Sequence, residues 1–431
     1  MSKIFKQPKG LYTVSFIEMW ERFSFYGMRF CLVLFMVKEL MFSQQKSSYV
    51  YGLYCSSAYL MPLICGYLVD RYIGLRKAIT IGSFCRCFGL LMLSTGKIEL
   101  FVLSLALIAI ATGFMRAGMN PLVGLLYEKD NDVARDSGFR CFYIFANIGA
   151  FFSTLVCGYV GSRYGYRYAF LVAGLSILIG QVGYFLTAEK TLGSLGKVPI
   201  RKIELVNKNL FLTSAEKTRL LAMFIIFFVF ITIYDICVAQ QGNTVTVFAE
   251  NNINRTIGDF VIPTPWFQAI NPIVIWIFTP LIGVLMDRKA LKNGCTNYTG
   301  KFTFALVLMG ASYIVLMLAG YYADRQDTIS MLWVIALVFV QTIGEIYIFP
   351  TQSSLVVKLS PKRFLSLCFG FMCLQICVSN FLSGFIGGLY SYMSKTSFFS
   401  IFMLMSFCFA LLLFLLRKPL TKMIETSDKE N

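Results

Sequence analysis

Between Glu18 and Arg29 the chain reads Glu-Met-Trp-Glu-Arg-Phe-Ser-Phe-Tyr-Gly-Met-Arg, two acids and two bases inside an otherwise apolar run from Leu11 to Val37. Glu18, Glu21, Arg22, Phe25 and Arg29 are spaced i, i+3, i+4, i+7 and i+11, so at about 100° per residue they share one helical face, with Tyr26 at its edge. A charged side chain near the centre of a bilayer costs roughly 2.5 to 3.5 kcal/mol on insertion scales, so such groups face a partner or a polar cavity. By default, ionisable residues placed so mark a transport pathway. The bland alternative is a neutralised ion cluster that only fixes helix packing.

The run from Leu11 to Val37 is long enough to cross a bilayer at about 1.5 Å per residue. The rest of the chain is built the same way, with twelve apolar spans, six between 11 and 187 and six between 220 and 416. The expected fold is an all-α polytopic membrane protein: an N-terminal six-helix bundle over 1–187, a cytoplasmic linker over 188–219, a C-terminal six-helix bundle over 220–416 and a cytoplasmic tail over 417–431. A composition that is 57% hydrophobic and 16% aromatic over 431 residues excludes a soluble domain of this size. Near-continuous apolar runs, in place of period-two alternation, exclude a β-barrel.

The net charge of +17 resides in short loops and reads as membrane orientation, not as nucleic-acid binding. Placing both termini on one side puts most of the 39 Lys and Arg there, so both ends are expected in the cytoplasm. The basic segment Met1 to Gly10 leads directly into a charged helix, so no cleaved signal peptide is expected. The 13 cysteines are scattered without paired ligand spacing and read as packing residues; no metal or cofactor is expected. Histidine is absent, so a proton path must use carboxylates. Within the spans the acids are Glu18, Glu21, Asp235 and Glu345 and the bases are Arg22, Arg29, Arg86 and Arg116, a balance that points to one polar cavity closed by ion pairs.

One motif recurs. Gly66-Tyr-Leu-Val-Asp70-Arg71, preceded by Pro62-Leu-Ile, returns as Gly283-Val-Leu-Met-Asp287-Arg288, preceded by Pro280-Leu-Ile. Two parallel six-span halves that rock about a midplane site have this layout. Extended through Gly74, Arg76 and Lys77, the first copy resembles the loop between the second and third helices of the major facilitator superfamily. The resemblance implies that fold, with Gly66 allowing close helix approach and Asp70 and Arg71 making ion contacts at a cytoplasmic gate.

The opening stretch also resembles the Glu-x-x-Glu-Arg-Phe signature of the proton-dependent oligopeptide transporters (POT/PTR), which import di- and tripeptides. Similar matches follow at Arg135-Asp136-Ser137-Gly138-Phe139 through Asn147-Ile-Gly149, at Gln240-Gln241-Gly242, at Trp266 to Pro272 and at Gly344-Glu345 to Pro350. The resemblance implies a proton-coupled symporter of short peptides in the inner membrane, acting as a functional monomer. It gives proton coupling to Glu18, Glu21 and Arg22, and substrate binding to Tyr26, Arg29, Tyr59, Arg116, Asn147, Asn271 and Glu345. Arg116 stands where the family has Lys and would take the peptide carboxylate, while Glu345 would meet its amino terminus. A di- or tripeptide spans roughly 7 to 11 Å, a fitting width for such a two-ended pocket. For the uncharged residues the competing reading is a simple bond to a neighbouring helix.

Gating falls to Asp70, Arg71, Asp235 and Gln241. The seventh-helix acid of the family is Ala239 here, and Asp235, one turn away on the same face, is expected to stand in for it with Arg29 as partner. Phe25, Arg116-Ala117-Gly118, Phe349 and Met372 also depart from the family pattern, and Arg86 has no role in it. These departures motivate an alternative, a divergent member carrying another small anionic or zwitterionic solute. An intramembrane hydrolase or a receptor would need a catalytic motif or a loop domain that the sequence lacks.

Overall fold

The computed structural model describes residues 7–127, 132–199, 212–293, 297–326, 328–361 and 365–425. The side chains of Asp287 and Arg288 in the second motif copy, and of Arg135 and Asp136 in the fifth segment, lie outside the described set. The chain is almost wholly helical: an apolar backbone segment in lipid must satisfy its own N–H and C=O groups, and the helix does so within one segment. It forms two compact units, Met1–Glu204 with Pro263–Ala269, and Leu205–Ile262 with Ile270–Asn431.

The first unit holds α1 (Lys9–Lys38), α2 (Gln44–Leu68), α3 (Leu75–Ser94), α4 (Ile98–Gly124), α5 (Asp132–Tyr164) and α6 (Tyr166–Leu192). α1 packs chiefly on α5 and α6, and α3 and α2 pack on α4. Its contact with α5 depends on Gly149, where a Cβ would run into the carbonyl oxygen of Met19. α2 ends in a π turn, Val69–Ile73, and Gly74 at φ +84° reverses the chain into α3, a conformation that favours glycine. At the same corner Arg76 donates to the Gly193 carbonyl at 2.9 Å and pairs with Glu189 at 2.7 Å, so the start of α3 is tied to the end of α6.

In the second unit the seventh span, expected over 220–249, runs from Ser214 to Asn252 and is broken into pieces. α7 (Ser214–Ile225) starts on a capping box between Thr213 and Glu216, a π segment covers Ile226–Ile231, and α8 (Thr232–Ala239) ends in a 3-10 turn at Gln240–Gly242 before α9 (Thr244–Asn252). Short strands follow: β1 (Ile253–Asn254), then a hairpin of β2 (Thr256–Ile257) and β3 (Phe260–Val261) turning at Gly258. β1 pairs in parallel with β4 (Ile329–Ser330).

The remaining helices are α10 (Ile270–Asn293), α11 (Tyr298–Ala323), α12 (Leu332–Leu359), α13 (Leu365–Gly387), α14 (Lys395–Leu415) and α15 (Arg417–Glu425). α15 occupies most of the expected tail and buries Leu420 and Ile424 against the unit. The short segment Thr264–Ala269, expected at the head of the eighth span, is a 3-10 turn that packs with the first unit, where Trp266 Nε1 donates to the Leu155 carbonyl at 2.9 Å.

Among the described residues ten helices, several of them composite, are long and apolar enough to cross a membrane. α1 and α10 are not in that set, and α1 carries its ionic stretch at mid-length.

Candidate functional site

The helical period of α1 turns Glu18 and Glu21 into the first unit, where both are buried. Arg22 Nε donates to Glu18 Oε1 at 2.6 Å, the i to i+4 pair the spacing predicts. The same Nε lies 3.6 Å from Glu21 Oε2, beyond hydrogen-bond range. The close partner of Glu21 comes instead from α3: Arg86 Nη2 lies 2.8 Å from Glu21 Oε1 and donates also to Thr112 Oγ1 of α4 at 2.8 Å. Sequence reasoning left Arg86 without a role and set Glu21 beside Arg22. The pairing across 65 residues could not be read from spacing, although an arginine in the middle of an apolar span was signal enough to look for a carboxylate.

Arg116 of α4 stands between two rings, with Cζ 4.9 Å from the centroid of Tyr59 on α2 and 5.5 Å from that of Phe25 on α1. Among the described residues no carboxylate lies on it, so it is a cation held by ring faces. Phe25 also faces Arg86, at 5.6 Å, so one aromatic ring serves two guanidinium groups. The structure thus brings together Glu18, Glu21, Arg22, Tyr59 and Arg116, and adds Arg86 and Thr112.

Two expected pocket residues are otherwise engaged. Arg29 Nε donates to the Tyr51 hydroxyl at 2.9 Å, and Asn147 Nδ2 donates to the Tyr143 carbonyl one turn back on its own helix at 2.9 Å. Tyr26 stacks on Phe30 with ring centroids 5.6 Å apart. The gate motif is separate from the cluster: Asp70 and Arg71 are exposed on the π turn, where Arg71 Nη1 donates to the Tyr67 hydroxyl at 2.5 Å and no carboxylate pairs with it among the described residues. A Cβ at Gly66 would meet nothing within 4 Å, so the close helix approach expected there is absent from the first unit.

In the second unit both span acids are held by amides and not by arginines. Asn271 Nδ2 of α10 donates to Glu345 Oε2 of α12 and to Thr342 Oγ1 at 3.0 Å. Gln375 Nε2 of α13 donates to Asp235 Oδ2 of α8 at 3.0 Å. The expected four-against-four set of ion pairs is therefore realised as two pairs on α1 and two amide-held carboxylates, because the middle of the second unit's spans carries no arginine. Gln241 donates to Gln341 Oε1, whose backbone carbonyl also accepts from the Tyr234 hydroxyl at 3.2 Å, so the turn after α8 is tied to α12. Gln341, Thr342 and Gln375 were missed from the sequence, their only signal being amide and hydroxyl groups inside apolar spans. Among the described residues no group of His, Cys, Asp and Glu is arranged to hold a metal ion, and the cysteines are free thiols.

The chain is 27% identical to an uncharacterized transporter, YclF, of Bacillus subtilis (strain 168), over 96% of this chain and 94% of that protein. It is 24% identical to dipeptide and tripeptide permease A of Escherichia coli (strain K12), over 89% of this chain and 85% of the permease. Its fold matches a crystal structure of the peptide transporter POT in complex with sulfate at a TM-score of 0.89 and 24% identity, covering 97% of this chain and 96% of that one. A POT family transporter in complex with 5-aminolevulinic acid superposes with a TM-score of 0.89 and 24% identity, covering 97% and 98%. These relatives are transporters, not enzymes, and the bacterial permeases and apolar helices together mark a multi-pass inner-membrane protein. The sequence model of PTR2, the POT family, matches residues 76–194 and 197–405, most of the sequence, and the chain belongs to that family.

Proposed function

We propose that this chain is a proton-coupled symporter that imports di- and tripeptides by alternating access, acting as a monomer with both termini in the cytoplasm. The reading counts α1 and α10 as spans beside the ten apolar ones, giving the twelve helices of a major facilitator. At 30 residues α1 is about 45 Å long, enough to cross the bilayer.

The observation that carries the reading is Arg116. A guanidinium between the rings of Tyr59 and Phe25, with no carboxylate in direct contact among the described residues, is disposed to bind one that arrives from outside. The Glu18–Arg22 pair supplies the coupling: a proton arriving on Glu18 releases Arg22, and its departure lets the pair re-form. Glu345, held by Asn271, is assigned the peptide ammonium group. Tyr26, Arg29 and Asn147 are assigned to the walls of the same site, and Asp70, Arg71, Asp235 and Gln241 to the gates.

Proteoliposomes with an imposed inward proton gradient test the reading directly. They should concentrate labelled dialanine, and a free dipeptide should compete far better than its N-acetylated, C-amidated form. Equal competition by the blocked peptide rejects the two-ended assignment, and no uptake rejects peptide transport. The solved relative that holds 5-aminolevulinic acid supports a second reading, transport of a small zwitterion that is not a peptide. Preferential uptake of that compound over dialanine would favour it.

A further inference from the structure

Arg86 is a buried charge that the peptide-transport reading does not use. Its Nη2 lies 2.8 Å from Glu21 Oε1, and neither side chain of the pair reaches solvent. The same nitrogen donates to Thr112 Oγ1 at 2.8 Å, while the Thr112 hydroxyl donates to the Ile108 carbonyl at 2.9 Å, so the pair is fixed by α1, α3 and α4 at once. Glu18 stands differently, because its partner Arg22 has a side chain 20% exposed.

Stability alone does not account for the Glu21–Arg86 pair. Glu21 Oε2 and Arg86 Nε and Nη1 have no hydrogen-bond partner among the described residues, and an incompletely bonded buried pair holds helices no better than apolar side chains of similar volume. The charges acting on Glu18 are Arg22 and Glu21 of its own helix and Arg116 of α4. Those acting on Glu21 are Arg86 of α3, Arg22 and Arg116, and Tyr54 of α2 faces both Arg86 and Glu21. α5 and α6 meet this stretch of α1 through Gly149 at Met19 and Gly180 at Trp20.

We infer that Arg86 is a positioning residue for proton coupling: as the dedicated counter-charge of Glu21 it takes that carboxylate out of proton exchange and leaves Glu18 as the carboxylate of α1 that takes up and releases a proton. The inference rests on the proton-coupled reading above. On uptake one proton joins the Glu18 carboxylate and Arg22 is freed; on release the proton leaves Glu18 and the Glu18–Arg22 pair re-forms.

Neutralising the pair as a pair separates the roles. In proteoliposomes, counterflow of labelled dialanine without a gradient reports a folded carrier, and accumulation under an inward proton gradient reports coupling. Glu18→Gln should keep counterflow and lose roughly tenfold or more of its accumulation, with no rescue from any change at Arg86. Glu21→Gln alone strands a buried Arg86 and should lose accumulation too. Adding Arg86→Gln should restore it to within about threefold of wild type, since removing both charges of a buried pair is far milder than removing one. Arg86→Gln alone works only while Glu21 is protonated, so its accumulation should fall with rising pH about tenfold more steeply than wild type, and adding Glu21→Gln should abolish that extra fall.

A merely structural Arg86 would scale the pH profile without changing its shape. Arg86→Lys keeps the charge and should keep the wild-type profile, a comparison that separates the two roles even where the double variant fails to insert. An infrared titration of the protonated carboxyl band needs no substrate: Glu18→Gln should remove one component of the band, and the double variant should keep that component. A double variant that performs counterflow but not accumulation, an Arg86→Lys profile like that of Arg86→Gln, or a band unchanged by Glu18→Gln overturns the inference. Failure of dialanine uptake with the infrared pattern intact overturns only the peptide reading.

Discussion

Arg116 lies beside two aromatic faces, and the planar donor fork of a guanidinium matches the geometry of a carboxylate. A charge-assisted bond to a substrate carboxylate is worth roughly 1.5 to 3 kcal/mol, so Arg116→Ala should weaken binding of free dialanine by about 30-fold. The C-amidated peptide has no carboxylate to lose and should weaken much less; competition in counterflow measures both, and equal losses would remove Arg116 from the carboxylate site. Arg116→Lys should fall between, since it keeps the charge and loses the bidentate geometry. At this scale the sequence shows which charged residues lie in the spans but not their partners. The i to i+4 pair Glu18–Arg22 was legible because both ends lie on one helix. Arg86 with Glu21, Gln375 with Asp235 and Asn271 with Glu345 each join different helices, and periodicity tells which face a residue occupies without telling which helix comes to meet it.

The helices themselves were legible, and their interruptions were not. A long apolar run predicts a span, but the π segment at Ile226–Ile231 is as apolar as the helix around it, and the 3-10 turn at Gln240–Gly242 is marked only by its Gln-Gln-Gly. The amphipathic α15 was hidden because Arg417, Lys418 and Lys422 make a nine-residue stretch look like a solvated tail, although Leu420 and Ile424 are four apart and share the buried face. Glycine is more readable: Gly149 lies in the fifth-helix signature, and its backbone touches that of Met19, where nothing flexible can give way. Gly149→Ala should therefore separate α1 from α5 and sharply lower the yield of folded protein in detergent, whereas Gly66→Ala, with open space around its Cβ, should leave the unfolding midpoint unchanged.

A second element-level tie can be titrated. Asp324, at the end of α11, accepts from Lys395 N at 3.2 Å, Thr396 N at 3.1 Å and Thr396 Oγ1 at 2.8 Å, fastening the first turn of α14. Burial works against its ionisation, but the bonds from Thr396 and Lys395 prevail and hold the carboxyl below the usual Asp range. Because the folded value is the lower one, the stabilisation is complete above the unfolded value of about 3.9 and is lost as pH falls through the folded one. Thermal unfolding should show an acid-side loss that Asp324→Asn flattens, with a cost of about 1 kcal/mol at neutral pH.

Over the whole molecule the two units carry opposite unbalanced charge inside their spans. Near mid-span the first has Arg22, Arg29, Arg86 and Arg116 against Glu18 and Glu21, and the second has Asp235 and Glu345 with no base. The repeated motif that suggests two halves is legible because it is local in sequence. The distribution of partners was not, because it depends on which amides fold in beside each acid. An amide serves a carboxylate and a carboxylic acid equally well, donating to the first and accepting from the second, so Gln375 leaves Asp235 able to change its charge without losing its bond. We predict on this ground that Asp235→Asn, which keeps the hydrogen bond and removes the charge, retains counterflow of dialanine and loses proton-driven accumulation by about tenfold or more. Ala239 is buried one turn further along the same face, where the family places its acid. Adding Ala239→Glu to Asp235→Ala should therefore restore part of the accumulation, at reduced stability because a larger, ionisable side chain enters a packed position. Normal accumulation by Asp235→Asn would assign Asp235 to packing alone, and coupling would then rest on α1 and on Glu345.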